Sequence, residues 1–546
     1  MTDARAVDLL RKHDQRAAKR GTFESHWQEI ADLVLPRQGD ITVHRHPGEK
    51  KQEKIFDSTA ALALERFAAA VQSYVAPQGS KWHGLRALPE ELNEDDNVRE
   101  YFDLLRDKVF THRLAPFANF YSQLHEVLMS LGAFGTGVLY IGEQKRGLRY
   151  RAIPLAEAYI GENAVGQVDC IDRKYESSAR QIAQMFGTKN LPASVTKALD
   201  KEPEKPFTLL HCVMPRADYN ETKVDAKNMP FASFYIERES QTILDEGGFR
   251  KFPYGVARYV TAPGEVYGRS PAMTVLPTIK MANAISKTMI RAAEFQAFPP
   301  TLVHEDGVLG RIGLQPHSVV AGGLNAQGQP LVAPLQVGAQ PQLGVDVLEQ
   351  QHGIINDAFL ITLFQILVDS PQMTATEVLQ RAQEKGALIG PALARLSTDL
   401  FSPMIERELD LLADKKLLPP PPQEIIETGA EYEVVYDSPL TRAQKSEQAV
   451  GASRLVESAV AYAEVFPGMA RRIDEDEFIK ILHEASGAPQ KLLRSDDEME
   501  ELEQQEADRA AASAATEAAP AVAGALKDMA LAGKANADAG AVRAGV

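Results

Sequence analysis

The sequence has 546 residues, of which 44% are hydrophobic and 25% are charged, and its formal net charge is −16. A chain of this length exceeds one compact core and predicts about two to four domains. The negative charge argues against tight binding of nucleic acid through phosphate neutralisation, although an acidic wall would let nucleic acid slide past. The two cysteines, Cys170 and Cys212, are far apart, so we expect neither a disulfide framework nor a thiolate metal site.

No targeting or membrane segment is indicated. The opening stretch is a charged helical pattern without the apolar core of a secretory signal. The most apolar window, Phe359 to Val368, has about half the length that a membrane span needs. We therefore predict no membrane partner and a reducing compartment in which the chain is made.

The first elements along the chain are helical. Residues 5–35 predict two helices that are broken at Gly21-Thr22. Asp57-Ser58-Thr59 predicts the cap of a helix from Ala60 to Val75. Between them lies a polar stretch that contains His44 and His46. We expect it to be a solvated loop, because a metal site would need a third ligand nearby.

A glycine cluster, Gly132 to Gly137, follows another predicted helix. A phosphate-binding loop is disfavoured because the glycines come after a helix and no Lys-Ser/Thr follows them. A turn from helix to strand accounts for them better, with Val138–Ile141 and Tyr150–Ile153 forming a hairpin-like pair. Residues 150–262 then consist of short β-rich runs with one small helix near Ala179–Phe186.

Two long helices dominate the middle of the chain. The first is predicted over Ala272–Phe298 and ends at Pro299-Pro300, and the second over Leu343–Leu367. Between them lies a β-rich insertion with many turn residues. After them, Thr374 and Glu377 have the spacing of a capping box that opens the next helix. The fold class predicted is α+β and mainly helical.

The sequence contains no recognised catalytic motif, Walker A pattern or dense group of metal ligands. Its twelve histidines are scattered without near partners. We therefore predict no catalytic, cofactor-binding or metal-binding residue. The alternative from the enzyme class is a hydrolase whose site assembles from distant residues, around His211 and the β-rich region. A nucleic-acid-binding adaptor is a third hypothesis, which the net charge disfavours.

Short stretches spread along the chain resemble the head-to-tail connector (portal) family of short-tailed bacteriophages. They occur in the family's order over residues 5–495 and are Phe23-Glu-Ser-His-Trp27 with Leu35-Pro36, Asp57-Ser-Thr-Ala60, Phe134-Gly-Thr-Gly137, Pro253-Tyr254 with Arg258, Tyr267-Gly-Arg-Ser-Pro271, Met373-Thr-Ala-Thr-Glu377, and Tyr436-Asp-Ser-Pro-Leu440 with Arg442-Ala-Gln444.

The resemblance implies a subunit made of a wing, a two-helix stem, a β-rich clip and a helical crown. The implied parts are the wing (1–271), the stem helices (272–298 and 343–367), the clip (299–342), a tunnel loop (368–373), wing or crown helices (374–414) and the crown (415–495). Residues 496–546, an acidic run followed by an alanine-rich tail, lie outside the resemblance. We expect disorder or frayed helix there, because this tail cannot bury enough apolar surface to hold itself.

The resemblance also implies partners and a place in the particle. Such subunits form a ring, typically dodecameric, at one capsid vertex, and double-stranded DNA passes through it during packaging and ejection. The implied partners are the terminase, a tail adaptor protein, and the major capsid and scaffolding proteins. The implied location is the virion, with the host cytoplasm during assembly. Because the motor is the separate terminase, the missing Walker A pattern agrees with this family.

The two predicted stem helices carry opposite charge. Lys280, Lys287 and Arg291 share one face of the first helix, whereas the second carries acidic residues only: Asp346, Glu349 and Asp357. Ordinary solvated faces would explain this pattern. Two sharper hypotheses are that the basic face pairs with the acidic helix of a neighbouring subunit, or that it lines the channel and contacts phosphates.

The predicted tunnel loop has no Lys or Arg. It consists of Val368, Asp369, Ser370, Pro371, Gln372 and Met373. If the loop projects into a channel, its contact with DNA is steric and polar, and DNA passage should depend little on its charge.

Overall fold

The computed structural model describes residues 3–43, 46, 48–145, 147–189, 191–219, 225–297, 301–303, 327–329, 332–334, 341–365, 390, 394–436, 439–462 and 472–486, with residues 504–510 and a few isolated positions beyond them. These residues form a mixture of helices and antiparallel sheets. The predicted fold class, α+β and mainly helical, is confirmed.

The elements follow one another along the chain with these bounds. The helices are α1 (Ala4–Leu33), α2 (Thr59–Val75), α3 (Asp96–Arg113), α4 (Phe120–Phe134), α5 (Ala179–Phe186), α6 (Ala193–Lys201), α7 (Pro271–Thr274), α8 (Leu276–Ala297), α9 (Pro341–Ala358), α10 (Ile361–Gln365), α11 (Ser402–Asp414), α12 (Gln423–Thr428), α13 (Pro439–Tyr462) and α14 (Glu475–Ser486). The strands are β1 (His83–Ala87), β2 (Thr136–Gln144), β3 (Gly147–Ile153), β4 (Ala158–Glu162), β5 (Val168–Ser178), β6 (Pro206–Pro215), β7 (Phe231–Glu237), β8 (Thr242–Phe249), β9 (Tyr254–Arg258), β10 (Thr301–Val303), β11 (Val332–Pro334) and β12 (Tyr432–Tyr436).

The larger sheet has five strands in the order β4-β5-β6-β7-β8, and every neighbouring pair is antiparallel. Apolar residues at the start of α1, including Ala6, Leu9 and Leu10, pack against side chains of β6 and β7. The small helices α5 and α6 pack on Phe207 and Leu209 of the same sheet. Most of the β-rich region predicted for residues 150–262 thus forms this sheet with helices on it, while β9 and part of β3 belong to a second sheet.

The smaller sheet has the order β3-β2-β9 and lies beside α4. The hairpin predicted from the sequence is present, with Val138 opposite Ile153 and Ile141 opposite Tyr150. Gly135 ends α4 with φ +79° and leads directly into β2. The interpretation of the glycine cluster as a turn from helix to strand is therefore confirmed.

The prediction of a helix break at Gly21 is wrong, because α1 continues through it. Glycine inside a helix costs only about 1 kcal/mol relative to alanine. Two buried neighbours fix the helix on either side of Gly21. The guanidinium of Arg20 donates to the carbonyl of Leu155 over 2.8 Å, and the indole of Trp27 donates to the carbonyl of Phe134 over 3.1 Å.

The prediction of one helix from Leu343 to Leu367 is wrong beyond Ala358, where α9 ends. Phe359 is fully buried and Ile361 is 2% exposed. On a straight helix these two positions point about 200° apart and cannot reach the same core. Leu360, with φ +60°, turns the chain so that both side chains are buried before α10 begins.

The chain separates into two compact units. The first consists of Met1–Gly84, Leu105–Pro419 and Val434–Ala443, and the second of Leu85–Leu104, Pro420–Glu433 and Gln444–Val546. The wing, stem, clip and crown boundaries given above stay predictions. No helix among the described residues is both long and apolar enough to cross a membrane.

Candidate functional site on the paired long helices

The short helix α7, which leads into α8, begins at a junction of three segments that were singled out in the sequence. Ser270 accepts a hydrogen bond from the amide of Met273 over 2.9 Å and donates to the carbonyl of Ala133 over 2.7 Å. The ring of Tyr267 lies against Trp27 with its centroid 5.1 Å away. The stretches Phe23–Trp27, Phe134–Gly137 and Tyr267–Pro271 therefore meet at one place.

Gly135 and Gly268 allow the two backbone segments of this junction to come into contact. The amide of Gly268 donates to the hydroxyl of Thr136 over 2.9 Å, and the amide of Tyr259 donates to the carbonyl of Gly135 over 3.0 Å. A Cβ atom on either Gly135 or Gly268 would overlap the backbone of the other. The segment that leads through α7 into α8 is thus fixed against the end of α4.

Beyond this junction α8 leaves the core. Its buried residues are Leu276, Ile279 and Ala282, all near its beginning. From there it runs beside α9, where Gly344 permits close approach: a Cβ at that position would lie 3.3 Å from the sulfur of Met289. The short strands β10 and β11, which pair between the two helices, lie in the predicted clip.

Large apolar side chains on both helices are exposed in the single chain. They are Met281 (50%), Ile290 (47%) and Phe295 (51%) on α8, and Val345 (40%) and Ile354 (42%) on α9. Single exposed apolar residues are ordinary on protein surfaces, and these five are available for contact with another molecule.

The basic residues predicted on α8 have different surroundings. Lys280 forms an ion pair with Glu29 of α1 over 2.5 Å, and both side chains are about half exposed. The ammonium of Lys287 lies 5.0 Å from the ring centre of Phe56. Arg291 is exposed. Two of the three predicted cations therefore contact the N-terminal part of their own chain.

The acidic residues predicted on α9 are exposed. Asp346 and Glu349 lie on the described surface of the helix, and Asp357 accepts a hydrogen bond from the hydroxyl of Thr362 over 2.6 Å. Among the residues that the structure describes, no ion pair joins these carboxylates to the three cations of α8. The single chain thus does not bring the two charged sets together.

Sequence reasoning missed a group of polar residues that connects both helices to residues 54–59. Asp57 was interpreted only as part of a helix cap, and its Oδ1 does accept from the amide of Thr59 over 2.8 Å. Its other oxygen accepts from Nε2 of His352 over 2.6 Å and from the hydroxyl of Ser286 over 3.3 Å. The stretch Asp57-Ser-Thr-Ala60 is one of those that resemble the family, and this was the signal that could have drawn attention to the group.

A family model described as bacteriophage head to tail connecting protein matches residues 6–493. The chain belongs to this family.

Relatives agree with this assignment to the head-to-tail connecting proteins. The chain is 28% identical over 516 residues to the probable portal protein of Bordetella phage BPP-1, covering 92% of this chain and 91% of that protein. It is 25% identical over 528 residues to the portal protein of Salmonella phage epsilon15, covering 94% and 93%. A solved structure, the virion of a native gene transfer agent particle, is similar at 10% identity with a TM-score of 0.35, covering 78% of this chain and 94% of that one. The last similarity is too weak to define the fold.

The resemblance to the connector family and the function as a portal are thereby confirmed. Proteins of this family are structural components, and the hydrolase alternative around His211 has no support. The imidazole of His211 is buried, with one nitrogen 2.9 Å from the hydroxyl of Tyr254 and the other 3.0 Å from that of Ser233. Burial lowers the pKa of His211 to about 3. It is therefore a core histidine that substrate cannot reach.

The connector also contains a buried ion pair that holds α11 in place. The guanidinium of Arg113, at the end of α3, donates to Glu408 of α11, and both side chains are fully buried. The hydroxyl of Tyr150 donates to the same carboxylate over 2.5 Å. The ring of Trp82 lies 4.8 Å from the guanidinium carbon.

Several predicted features lie outside the described residues. These are the tunnel loop Val368–Met373 and the capping box of Thr374 and Glu377. The polar stretch predicted as a solvated loop is described at His46 but not at His44. In the part of the chain that the structure covers, no group of three or more His, Cys, Asp or Glu residues has a geometry that could hold a metal ion.

Proposed function

We propose that copies of this connector assemble into a dodecameric ring whose channel carries double-stranded DNA through one capsid vertex. In this ring α8 and α9 form the stem, residues 299–342 form the clip and Val368–Met373 form the tunnel loop. The observation that carries the proposal is the helix pair itself. The helix α8 leaves the core after Ala282 and runs beside α9 with apolar side chains exposed on both helices.

A neighbouring subunit is the proposed cover for those side chains. Five large apolar residues on two adjacent helices are costly to leave in water, since each buried methylene stabilises by about 0.8 kcal/mol. A ring contact repeats the same two surfaces around an axis, so one face of the pair meets the other face of the next copy. Closure of the ring then buries the exposed apolar surface of every subunit.

The charges on the two helices provide the register between neighbours in this proposal. Lys280 and Lys287 have contacts within their own chain, which leaves Arg291 as the most available cation of the predicted face. Asp346 and Glu349 of the next subunit are its proposed partners. The competing arrangement has Arg291 facing the channel, where the rings of guanidinium groups would contact DNA phosphates.

The proposed partners follow from the role of a connector. The terminase and a tail adaptor protein dock on the clip at different stages, and the major capsid and scaffolding proteins surround the wing. The chain assembles in the host cytoplasm and ends at a vertex of the virion. It has no catalytic role in this proposal, because the terminase supplies the motor.

Light scattering after size exclusion, followed by negative-stain microscopy, tests the ring. We expect particles of about twelve subunit masses with a central hole wide enough for duplex DNA. A monomer or dimer under all assembly conditions contradicts the proposal. A ring with another number of subunits contradicts the dodecamer but still agrees with a channel for DNA.

The charge reversal Arg291→Glu separates the two roles of the basic face. If Arg291→Glu abolishes the rings and a second substitution, Asp346→Lys or Glu349→Lys, restores them, the result supports pairing between neighbours. Intact rings with slower DNA packaging support contact with DNA, and no change in either rejects both. Lys280→Glu is the matched control, since it reverses a charge on the same face but breaks a pair within the chain.

The tunnel loop has a separate test in the same packaging assay. Asp369→Asn removes its only charge, and we expect intact rings and an unchanged packaging rate. Slower packaging with intact rings contradicts a purely steric and polar role for the loop.

A further inference from the structure

Residues 54–57 lie across α8, and one side chain of that helix binds their backbone. The amide oxygen of Asn283 accepts from the backbone amides of Phe56 over 2.7 Å and Asp57 over 3.1 Å. Its amide nitrogen donates to the carbonyl of Lys54 over 2.9 Å. Asn283 therefore holds this segment by its backbone, with every polar atom of its side chain in use.

The carboxylate of Asp57 extends this attachment to the second helix. It accepts from Ser286 of α8 and from His352 of α9, so one group joins both helices. The Asp57 side chain is 7% exposed and that of His352 is 31% exposed. Burial acts to raise the pKa of Asp57, but hydrogen bonds from His352 and Thr59 lower it below its ordinary value. The carboxylate is thus held ionised between the helices.

The helix α9 packs on α8 and α2, but few of its described side chains are fully buried in the single chain. Ile355 is the buried residue within the described side chains of that helix, and it lies three positions after His352 on the same face. A hydrogen bond to a charged group contributes more than one between neutral groups. The contact between Asp57 and His352 therefore adds a charged attachment to the packing of α9 on α8 and α2.

We infer that Asp57 and His352 are positioning residues that hold the helix α9 against α8 and the N-terminal segment, and so fix the wall of the channel. That α9 forms part of a channel wall rests on the proposed function. The attachment of α9 is a property of the single chain and is measurable without a ring.

Thiol labelling of an Ile355→Cys variant of the full chain tests this inference. The native Cys170 and Cys212 are buried, so a new thiol at position 355 reports when α9 lifts from its place. We expect Asp57→Ala and His352→Leu each to raise the labelling rate at position 355 by about tenfold, because each removes a hydrogen bond that involves a charged group. His352→Gln keeps a donor and should leave the rate close to that of the parent.

Peptide mass spectrometry separates local release from general instability. If the variants merely weaken the fold, Cys170 and Cys212 become labelled together with the thiol at position 355, and the inference is rejected. It is also rejected if neither Asp57→Ala nor His352→Leu changes the rate. Asp3→Ala is the matched control, because Asp3 caps α1 through the same spacing, accepting from the amide of Arg5 over 3.0 Å, without contacting α8 or α9. Failure of the ring in microscopy, with labelling as expected, would reject the proposed function alone.

Discussion

Gly135 and Gly268 lie backbone against backbone. A Cβ atom on Gly135 would stand 2.3 Å from the carbonyl oxygen of Gly268, and one on Gly268 would stand 2.1 Å from the carbonyl oxygen of Gly135. Both distances are far inside van der Waals contact, and the obstructing atoms are backbone. This contact fixes the segment that leads into α8 against the end of α4.

Gly135→Ala should therefore destabilise the chain strongly. The φ of +79° alone costs an alanine about 1 to 2 kcal/mol, and the overlap with Gly268 adds to this cost. We expect a large drop in the Tm from differential scanning fluorimetry, or loss of soluble protein. Gly264→Ala is the control, with φ +80° and no atom within 4 Å of the added Cβ. Equal effects of the two variants would show that the close contact contributes nothing.

Removal of one partner from the buried pair of Arg113 and Glu408 should be costly. Glu408→Leu leaves the guanidinium buried without a counter-charge, and we expect a loss of about 3 to 5 kcal/mol in the free energy of unfolding. The double variant Arg113→Met with Glu408→Leu should recover much of that loss, because well-packed apolar residues replace buried ion pairs at little cost. Urea unfolding followed by fluorescence measures both.

An exposed ion pair provides the comparison for that experiment. Arg86 and Glu433 are 2.9 Å apart, and their side chains are 50% and 47% exposed. Glu433→Leu should change the free energy of unfolding by less than about 1 kcal/mol. If Glu408→Leu costs no more than Glu433→Leu, the buried pair does not stabilise α11.

The stability of the chain should fall in acid partly because of His211. Its pKa is about 3 in the folded protein, whereas an unfolded chain binds a proton at this residue near pH 6.5. The unfolded state therefore binds more protons between these values, and stability is lost as the pH falls from about 6.5 towards 3. The contribution of this one residue is up to about 1.4 kcal/mol for each pH unit.

His211→Gln removes this proton uptake and should flatten the decline. The urea midpoint is measured at pH 7, 6, 5 and 4.5 for the variant and its parent. The slopes of the midpoint against pH are then compared, rather than the absolute stabilities. His83 is also buried, and burial lowers its pKa well below the ordinary value, so a residual slope of the same sign remains. Identical slopes in parent and variant would show that His211 titrates alike in both states.

Both thiols should be unreactive in the folded chain. Burial raises the pKa of Cys170 to about 12, and it raises the pKa of Cys212 well above the ordinary value. Thiolate is the reactive form, and these groups are both shielded and protonated. We expect maleimide to label them only in denaturant. Labelling of native protein at the rate of a free thiol would contradict the burial of these residues.

Local signals in the sequence predicted many elements because their causes are local. The bounds of α5 agree with the predicted ones, since a short amphipathic pattern is specified by neighbouring residues. The first long helix is predicted to end at Pro299-Pro300, and the described part of α8 extends to Ala297. These features depend on backbone chemistry within a few residues.

Errors occurred where distant residues decide the local conformation. Gly21 remains helical because Arg20 and Trp27 are held by carbonyl groups far along the chain. Leu360 interrupts a helical pattern because Phe359 and Ile361 both enter the core. In each case burial and hydrogen bonding over long range outweigh an intrinsic preference of about 1 kcal/mol.

The sequence by itself determined the fold class, most helices and strands, and the resemblance to the connector family, because ordered motifs and periodicity are properties of the chain. It did not determine which motifs meet. Only the tertiary structure placed Gly135 against Gly268, Glu408 beside Arg113, and Asp57 between Ser286 and His352. Those contacts join residues more than a hundred positions apart, and they form because packing brings together groups that no local pattern relates.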